Sequence, residues 1–215
     1  MLDLGQVLGR SPVLPVLTIE REVDAVPLAR ALARGGLRTL EVTLRTPAAL
    51  GAIRLIGREV EEVVVGAGTV LSAADLEAVV EAGAAFAVSP GLTEQIIRTN
   101  APIPVLPGVA TASEAMSASD HGFKVLKLFP AVPIGGAAVL RALAGPLPHL
   151  QFCPTGGVDP VNAREFLQLA NVICVGGGWV APPPLIAEGR WTEITRLAEE
   201  ANALSRSGRP GAGLR

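Results

Sequence analysis

Tyrosine is absent from this chain of 215 residues, and two tryptophans and five phenylalanines make up its aromatics. The core is left to Ala, Val and Leu, which suits short buried parallel strands set between Ala-rich helices. Cysteine and histidine are equally scarce: Cys153, Cys174, His121 and His149. Both cysteines sit in apolar, strand-like runs without a C-x-x-C. Neither a disulfide framework nor a metal site is therefore expected, and no catalytic triad is supported. A formal charge of −2 gives no electrostatic reason to expect nucleic acid or an anionic membrane surface as a partner. Gly, Pro and charges interrupt every apolar run before it reaches membrane-spanning length. The opening MLDLGQVLGR lacks the basic-then-apolar pattern of a secretory signal, so the expected compartment is the cytoplasm.

Lysine is nearly missing too. Of 18 basic residues, Lys124 and Lys127 are the only lysines, and both lie in one apolar run, Phe123-Lys-Val-Leu-Lys-Leu-Phe-Pro130. A charge that only needs hydration can be Arg, and elsewhere in this chain it is. Arg keeps its proton near neutral pH, whereas an unprotonated lysine is an amine that attacks carbonyls. Side chains alternate faces along a strand. Phe123, Val125, Lys127 and Phe129 thus share one face, and Lys124, Leu126 and Leu128 share the other. Lys124 falls near the start of the run, where its ammonium can snorkel to water, and codon bias accounts for it. Lys127 falls near the C-terminal end, beside Phe129 and Pro130, and invites a chemical role.

Short Val/Leu/Ile runs alternate with amphipathic runs. The spacing predicts strands at 13–18, 37–44, 62–67, 84–89, 103–107, 123–128, 149–154 and 172–176. Helices are predicted near 22–34, 47–59, 72–82, 92–99, 111–121, 135–144, 159–170 and 191–205. Ser72-Ala-Ala-Asp75 and Thr111-Ala-Ser-Glu114 read as capping boxes, and Thr46-Pro47 as a cap followed by a helix-opening proline. Gly35-Gly36, Gly83 and Gly122 fall where a left-handed residue ends a helix. Eight β–α units in one domain predict an α/β chain folded as a (β/α)8 TIM barrel over residues 1–204, with a short N-terminal helix at its bottom. Residues 205–215 read as a flexible tail. An open doubly wound sheet is the alternative.

Barrel active sites lie at the C-terminal strand ends. On the second strand, Thr39, Glu41, Thr43 and Arg45 share one face, opposite Leu40, Val42 and Leu44. A polar stripe pointing into a barrel is costly unless it serves a ligand or a paired network; an internal Glu41–Arg45 ion pair is the simpler alternative. The third strand ends in Gly66-Ala-Gly-Thr-Val70, with glycines that admit a ligand to the backbone and a hydroxyl on Thr69. Pro90 forms a stiff rim after the fourth. Cys153-Pro-Thr-Gly-Gly-Val158 and Val175-Gly-Gly-Gly-Trp179 follow the seventh and eighth strands, where this fold commonly binds phosphate through backbone N–H groups.

Seven segments occur in order: Glu41-Val-Thr-Leu-Arg-Thr-Pro47, Val65-Gly-Ala-Gly-Thr-Val-Leu71, Ser89-Pro-Gly-Leu-Thr93, Leu106-Pro-Gly108, Lys127-Leu-Phe-Pro130, Phe152-Cys-Pro-Thr-Gly-Gly157 and Gly176-Gly-Gly-Trp179. From about residue 10 to residue 204, the chain resembles the 2-keto-3-deoxy-6-phosphogluconate (KDPG) and 4-hydroxy-2-oxoglutarate aldolases. The resemblance implies a class I aldolase that needs no metal or cofactor. It implies that Lys127 is the Schiff-base lysine and Glu41 the general acid/base. Arg45 and Thr69 would surround the pyruvate carboxylate, Pro90 and Phe129 would form apolar walls, and Thr155, Gly156 and Gly157 would form the polar loop at the substrate. Gly176, Gly177 and Gly178 would form the phosphate loop; Gly178 stands where many relatives have Ser. The implied partners are a phosphorylated 2-keto acid and two further copies of the chain in a homotrimer. A galactonate-type phospho-sugar acid, a metal- or acid-pair-dependent barrel related to the epimerases or thiamine-phosphate synthases, and a non-catalytic phospho-acid binder are the competing readings.

Overall fold

The structure is a computed structural model and describes residues 2–99 and 101–204; the expected tail at 205–215 lies outside the described residues. Among the described residues, nine strands appear in chain order: β1 (Val13–Leu17), β2 (Thr39–Thr43), β3 (Val64–Gly68), β4 (Ala87–Val88), β5 (Val105–Leu106), β6 (Gly108–Val109), β7 (Val125–Leu128), β8 (Gln151–Pro154) and β9 (Val175–Gly177). The helices are α1 (Leu4–Leu8), α2 (Ala25–Arg34), α3 (Ala49–Glu59), α4 (Ala73–Glu81), α5 (Glu94–Arg98), α6 (Ala112–Asp120), α7 (Gly136–Ala144), α8 (Ala163–Leu167), α9 (Pro183–Ala187) and α10 (Trp191–Asn202). All strand pairs are parallel. One sheet runs β5-β4-β3-β2-β1-β9 and another β6-β7-β8. The bridges Phe152↔Val172 and Thr155↔Gly176 join β8 to β9, and the chain itself joins β5 to β6, so the circuit closes as a barrel.

The fifth stave is in two pieces, β5 inside the predicted strand at 103–107 and β6 just beyond it. Pro107 separates β5 from β6 because it has no N–H for the ladder, yet its carbonyl still accepts from the Lys127 N–H at 2.8 Å. Both capping boxes form, at Ser72 and Thr111. Gly36, Gly83 and Gly122 take the left-handed conformation expected after helices. Thr46-Pro47 departs from its predicted role. Helix α3 starts at Ala49, and the Thr46 hydroxyl instead donates to the Ile19 carbonyl at 2.5 Å, tying the β2 loop to the end of β1.

Two apolar layers follow from strand alternation. Leu40, Val42, Leu126 and Leu128 face outward, into the layer shared with the helices. Leu14, Phe86, Val88, Leu106, Cys153, Ile173 and Cys174 fill the barrel interior, with Leu8 of α1 among them. The thiols of Cys153 and Cys174 are 3.5 Å apart there. Thr39 anchors α1 by donating to the Val7 carbonyl at 3.3 Å, so the lowest member of the polar stripe serves the fold. Among the described residues, no helix is long and apolar enough to cross a membrane.

Candidate active site

Lys127 points into the barrel. Its neighbours on the strand, Leu126 and Leu128, pack on the helix side, which fixes the alternation. Lys127 is 5% exposed, and its Nζ lies 3.4 Å from Oε1 of Glu41, which is 1% exposed. Nζ also sits 5.3 Å from the centre of the Phe129 ring, whose π-face favours a cation. The other carboxylate oxygen, Glu41 Oε2, is buried without a hydrogen-bond partner among the described residues. A buried carboxylate oxygen costs free energy unless something donates to it, so the geometry is suited to receiving a proton or a hydroxyl. Glu41 pairs with Lys127 rather than with Arg45, so the simpler Glu41–Arg45 ion pair is not what forms.

Glu41 is held from behind by an absence. Gly68, opposite Thr43 in the β2–β3 register, leaves room for the carboxylate: a Cβ there would lie 2.2 Å from Oε1. The same holds elsewhere in the barrel. A Cβ on Gly66 would strike the Phe86 ring at 2.4 Å, and one on Gly176 would lie 2.2 Å from Thr155 Oγ1. The β3 glycines thus give way to side chains crossing the barrel, where the sequence pointed to ligand access.

A cavity of ≈ 340 Å³ opens at the C-terminal strand ends; Lys127 and Glu41 do not line it themselves, but Phe129, whose ring stands 5.3 Å from Lys127 Nζ, does. It gathers Arg45, Phe129, Thr155, Gly156, Gly157, Gly176, Gly177 and Gly178. The guanidinium of Arg45 is exposed at its edge, and the exposed backbone of Gly178 adds donor capacity. Gly156 and Gly157 both have positive φ, 98° and 76°, as the turn after β8 requires. Thr155 is buried beneath that turn. Thr69 and Pro90 end β3 and β4 but do not line this cavity; Thr69 holds a left-handed backbone at φ 59°. Sequence reasoning passed over Val16, Thr18, Val158, Ala181 and Pro183, which do line it. Thr18 had a usable signal, since it is a polar residue ending an apolar strand, as Thr43 is.

A buried amine, an adjoining carboxylate with one oxygen unpartnered among the described residues, and a cavity lined by five glycines and Arg45 make a site for an anionic carbonyl compound. Comparison with known proteins points to the same class of chemistry. The family model "KDPG and KHG aldolase" matches residues 4–197. The "KHG/KDPG aldolase" of Escherichia coli (strain K12) is 49% identical over 197 residues, covering 91% of this chain and 92% of that protein. The crystal structure of KDPG aldolase from Legionella pneumophila, with pyruvate captured as a covalent carbinolamine intermediate, superposes with a TM-score of 0.92 at 43% identity, covering 94% of this chain and 99% of that one. The 2-keto-3-deoxy-6-phosphogluconate aldolase of Zymomonas mobilis ZM4, solved with 3-phosphoglycerate, gives 0.89 at 46% identity, covering 95% and 97%. The chain belongs to the KDPG and KHG aldolase family.

Proposed function

We propose that this protein is a class I aldolase that cleaves 2-keto-3-deoxy-6-phosphogluconate to pyruvate and glyceraldehyde 3-phosphate. The observation that carries the reading is the buried Lys127 Nζ, 3.4 Å from a carboxylate whose second oxygen has no partner among the described residues. Lys127 gives a proton to Glu41, and the amine so freed attacks the C2 ketone of the substrate. Glu41 gives a proton to the carbinolamine hydroxyl, which leaves as water, and the cationic imine that remains accepts the electron pair of the breaking C3–C4 bond. Glu41, through a water, takes the C4 hydroxyl proton as the aldehyde departs. The enamine left on Lys127 is protonated at C3, and hydrolysis of the resulting imine releases pyruvate and the free lysine. The imine nitrogen is the electron sink, so no metal or cofactor is part of the scheme.

In this reading Arg45 and Thr69 hold the pyruvyl carboxylate, and Phe129 and Pro90 wall it. Thr155, Gly156 and Gly157 meet the hydroxylated chain, and Gly176, Gly177 and Gly178 receive the phosphate. Cleavage of 4-hydroxy-2-oxoglutarate to pyruvate and glyoxylate belongs to the same reading, because the E. coli relative carries both activities in its name. So do a cytoplasmic location and a homotrimer. Val132 and Val161, exposed on the loops after β7 and β8, offer apolar surface to a neighbouring copy. The test is pyruvate release from 2-keto-3-deoxy-6-phosphogluconate, its galactonate counterpart and 4-hydroxy-2-oxoglutarate. The gluconate compound is expected to have the highest kcat/KM. Binding without turnover of any of them would overturn the proposal.

A further inference from the structure

Thr18 lies one residue beyond the end of β1, in the wall of the cavity. Its Oγ1 is 3.3 Å from Oγ1 of Thr43, and either hydroxyl satisfies the geometry of a donor. The next contact resolves the direction. Thr43 is fully buried, and its Oγ1 is 2.8 Å from the Leu17 carbonyl. A carbonyl only accepts, so the single hydroxyl proton of Thr43 is committed to Leu17. Thr18 must therefore donate to Thr43, the buried hydroxyl oxygen that would otherwise go unserved. The proton of Thr18 is then committed as well, and its lone pairs are what it offers to the cavity.

We infer that Thr18 is a specificity-determining residue that accepts a hydrogen bond from a substrate hydroxyl, and so favours a polyhydroxylated chain over a dicarboxylate. The position fits. Val16 is in register with Glu41, and Thr18 stands two residues closer to the mouth, roughly 6.6 Å along the strand. The Val16 carbonyl also borders Gly178, at 3.3 Å from where a Cβ would stand. Thr18 thus lies between the carboxylate that works on the C4 hydroxyl and the loop proposed for phosphate. The C5 hydroxyl of a six-carbon keto acid falls in that interval. In 4-hydroxy-2-oxoglutarate the same carbon is a carboxylate, which only accepts and finds lone pairs facing it. This inference rests on the aldolase reading and refines which chain the site prefers.

The test compares kcat/KM for 2-keto-3-deoxy-6-phosphogluconate and 4-hydroxy-2-oxoglutarate in the parent, Thr18→Val and Thr18→Ser proteins. Valine keeps the shape and removes the hydroxyl. The ratio of the two specificity constants, sugar acid over oxoglutarate, is expected to fall about tenfold in Thr18→Val, the worth of one hydrogen bond, and to recover in Thr18→Ser. Thermal melting of each variant checks the fold. Equal losses on both substrates, or an unchanged ratio, would overturn the role of Thr18 while leaving the aldolase standing. A parent protein that releases pyruvate from neither substrate would overturn both.

Discussion

Gly68→Ala adds one methyl group that touches no substrate, and it should disable the enzyme. The added carbon would lie 2.2 Å from Oε1, 2.7 Å from Cγ and 2.8 Å from Cδ of Glu41. Ordinary contact begins near 3.4 Å, so the carboxylate must retreat by about 1 Å. It now stands 3.4 Å from Lys127 Nζ, the outer limit of a hydrogen bond, and a retreat of that size breaks the pair. Two consequences are expected. Overpacking lowers stability by about 1–3 kcal/mol, read as a drop in melting temperature of roughly 2–4 °C per kcal/mol. Loss of the positioned acid/base lowers kcat by about 10²–10⁴-fold. Glu41→Gln, which keeps the volume and removes the carboxylate, should show the second effect with less of the first. Gly145→Ala is the control, because a Cβ there meets nothing within 4 Å. The assay is coupled pyruvate release alongside thermal melting. A Gly68→Ala protein with parental kcat and melting temperature would refute the claim that this glycine holds the carboxylate in place.

Two further outcomes follow from local geometry. Gly178→Ser places its Cβ 3.3 Å from the Val16 carbonyl, a contact that a few tenths of an ångström relieve; the new hydroxyl should lower KM for phosphorylated substrates about two- to tenfold and leave unphosphorylated ones unchanged in paired kinetic measurements. Thr111→Ala removes one half of the capping box that opens α6, so denaturant unfolding should show a loss of about 0.5–2 kcal/mol with kcat unaffected.

Parity along two strands was enough to place the reacting groups. Lys127 and Glu41 sit among Leu and Val that must face the helices, so each had only the interior left to it. Helix ends were legible at Ser72 and Thr111, where a side-chain oxygen and an acid three residues on serve exposed N–H groups. Thr46 misled because its hydroxyl found a better acceptor beyond the neighbouring strand, at Ile19, and such a contact has no local signature. The reason for Gly66 and Gly68 was hidden likewise: each is small because a side chain from a neighbouring stave, Phe86 just before β4 or Glu41 on β2, occupies the space. Thr18 carried a signal, as a hydroxyl closing an apolar strand, but nothing beside it in the sequence names its partner. Its direction as an acceptor exists only once Thr43 and Leu17 are brought beside it.

The central claim is that one of two lysines in the chain carries the chemistry. Incubation with pyruvate and borohydride, followed by proteolysis and mass spectrometry, tests it directly. The expected result is a reduced pyruvyl adduct on Lys127, with exposed Lys124 unmodified. An adduct on Lys124, or a Lys127→Arg protein that still releases pyruvate at the parental rate, would contradict it.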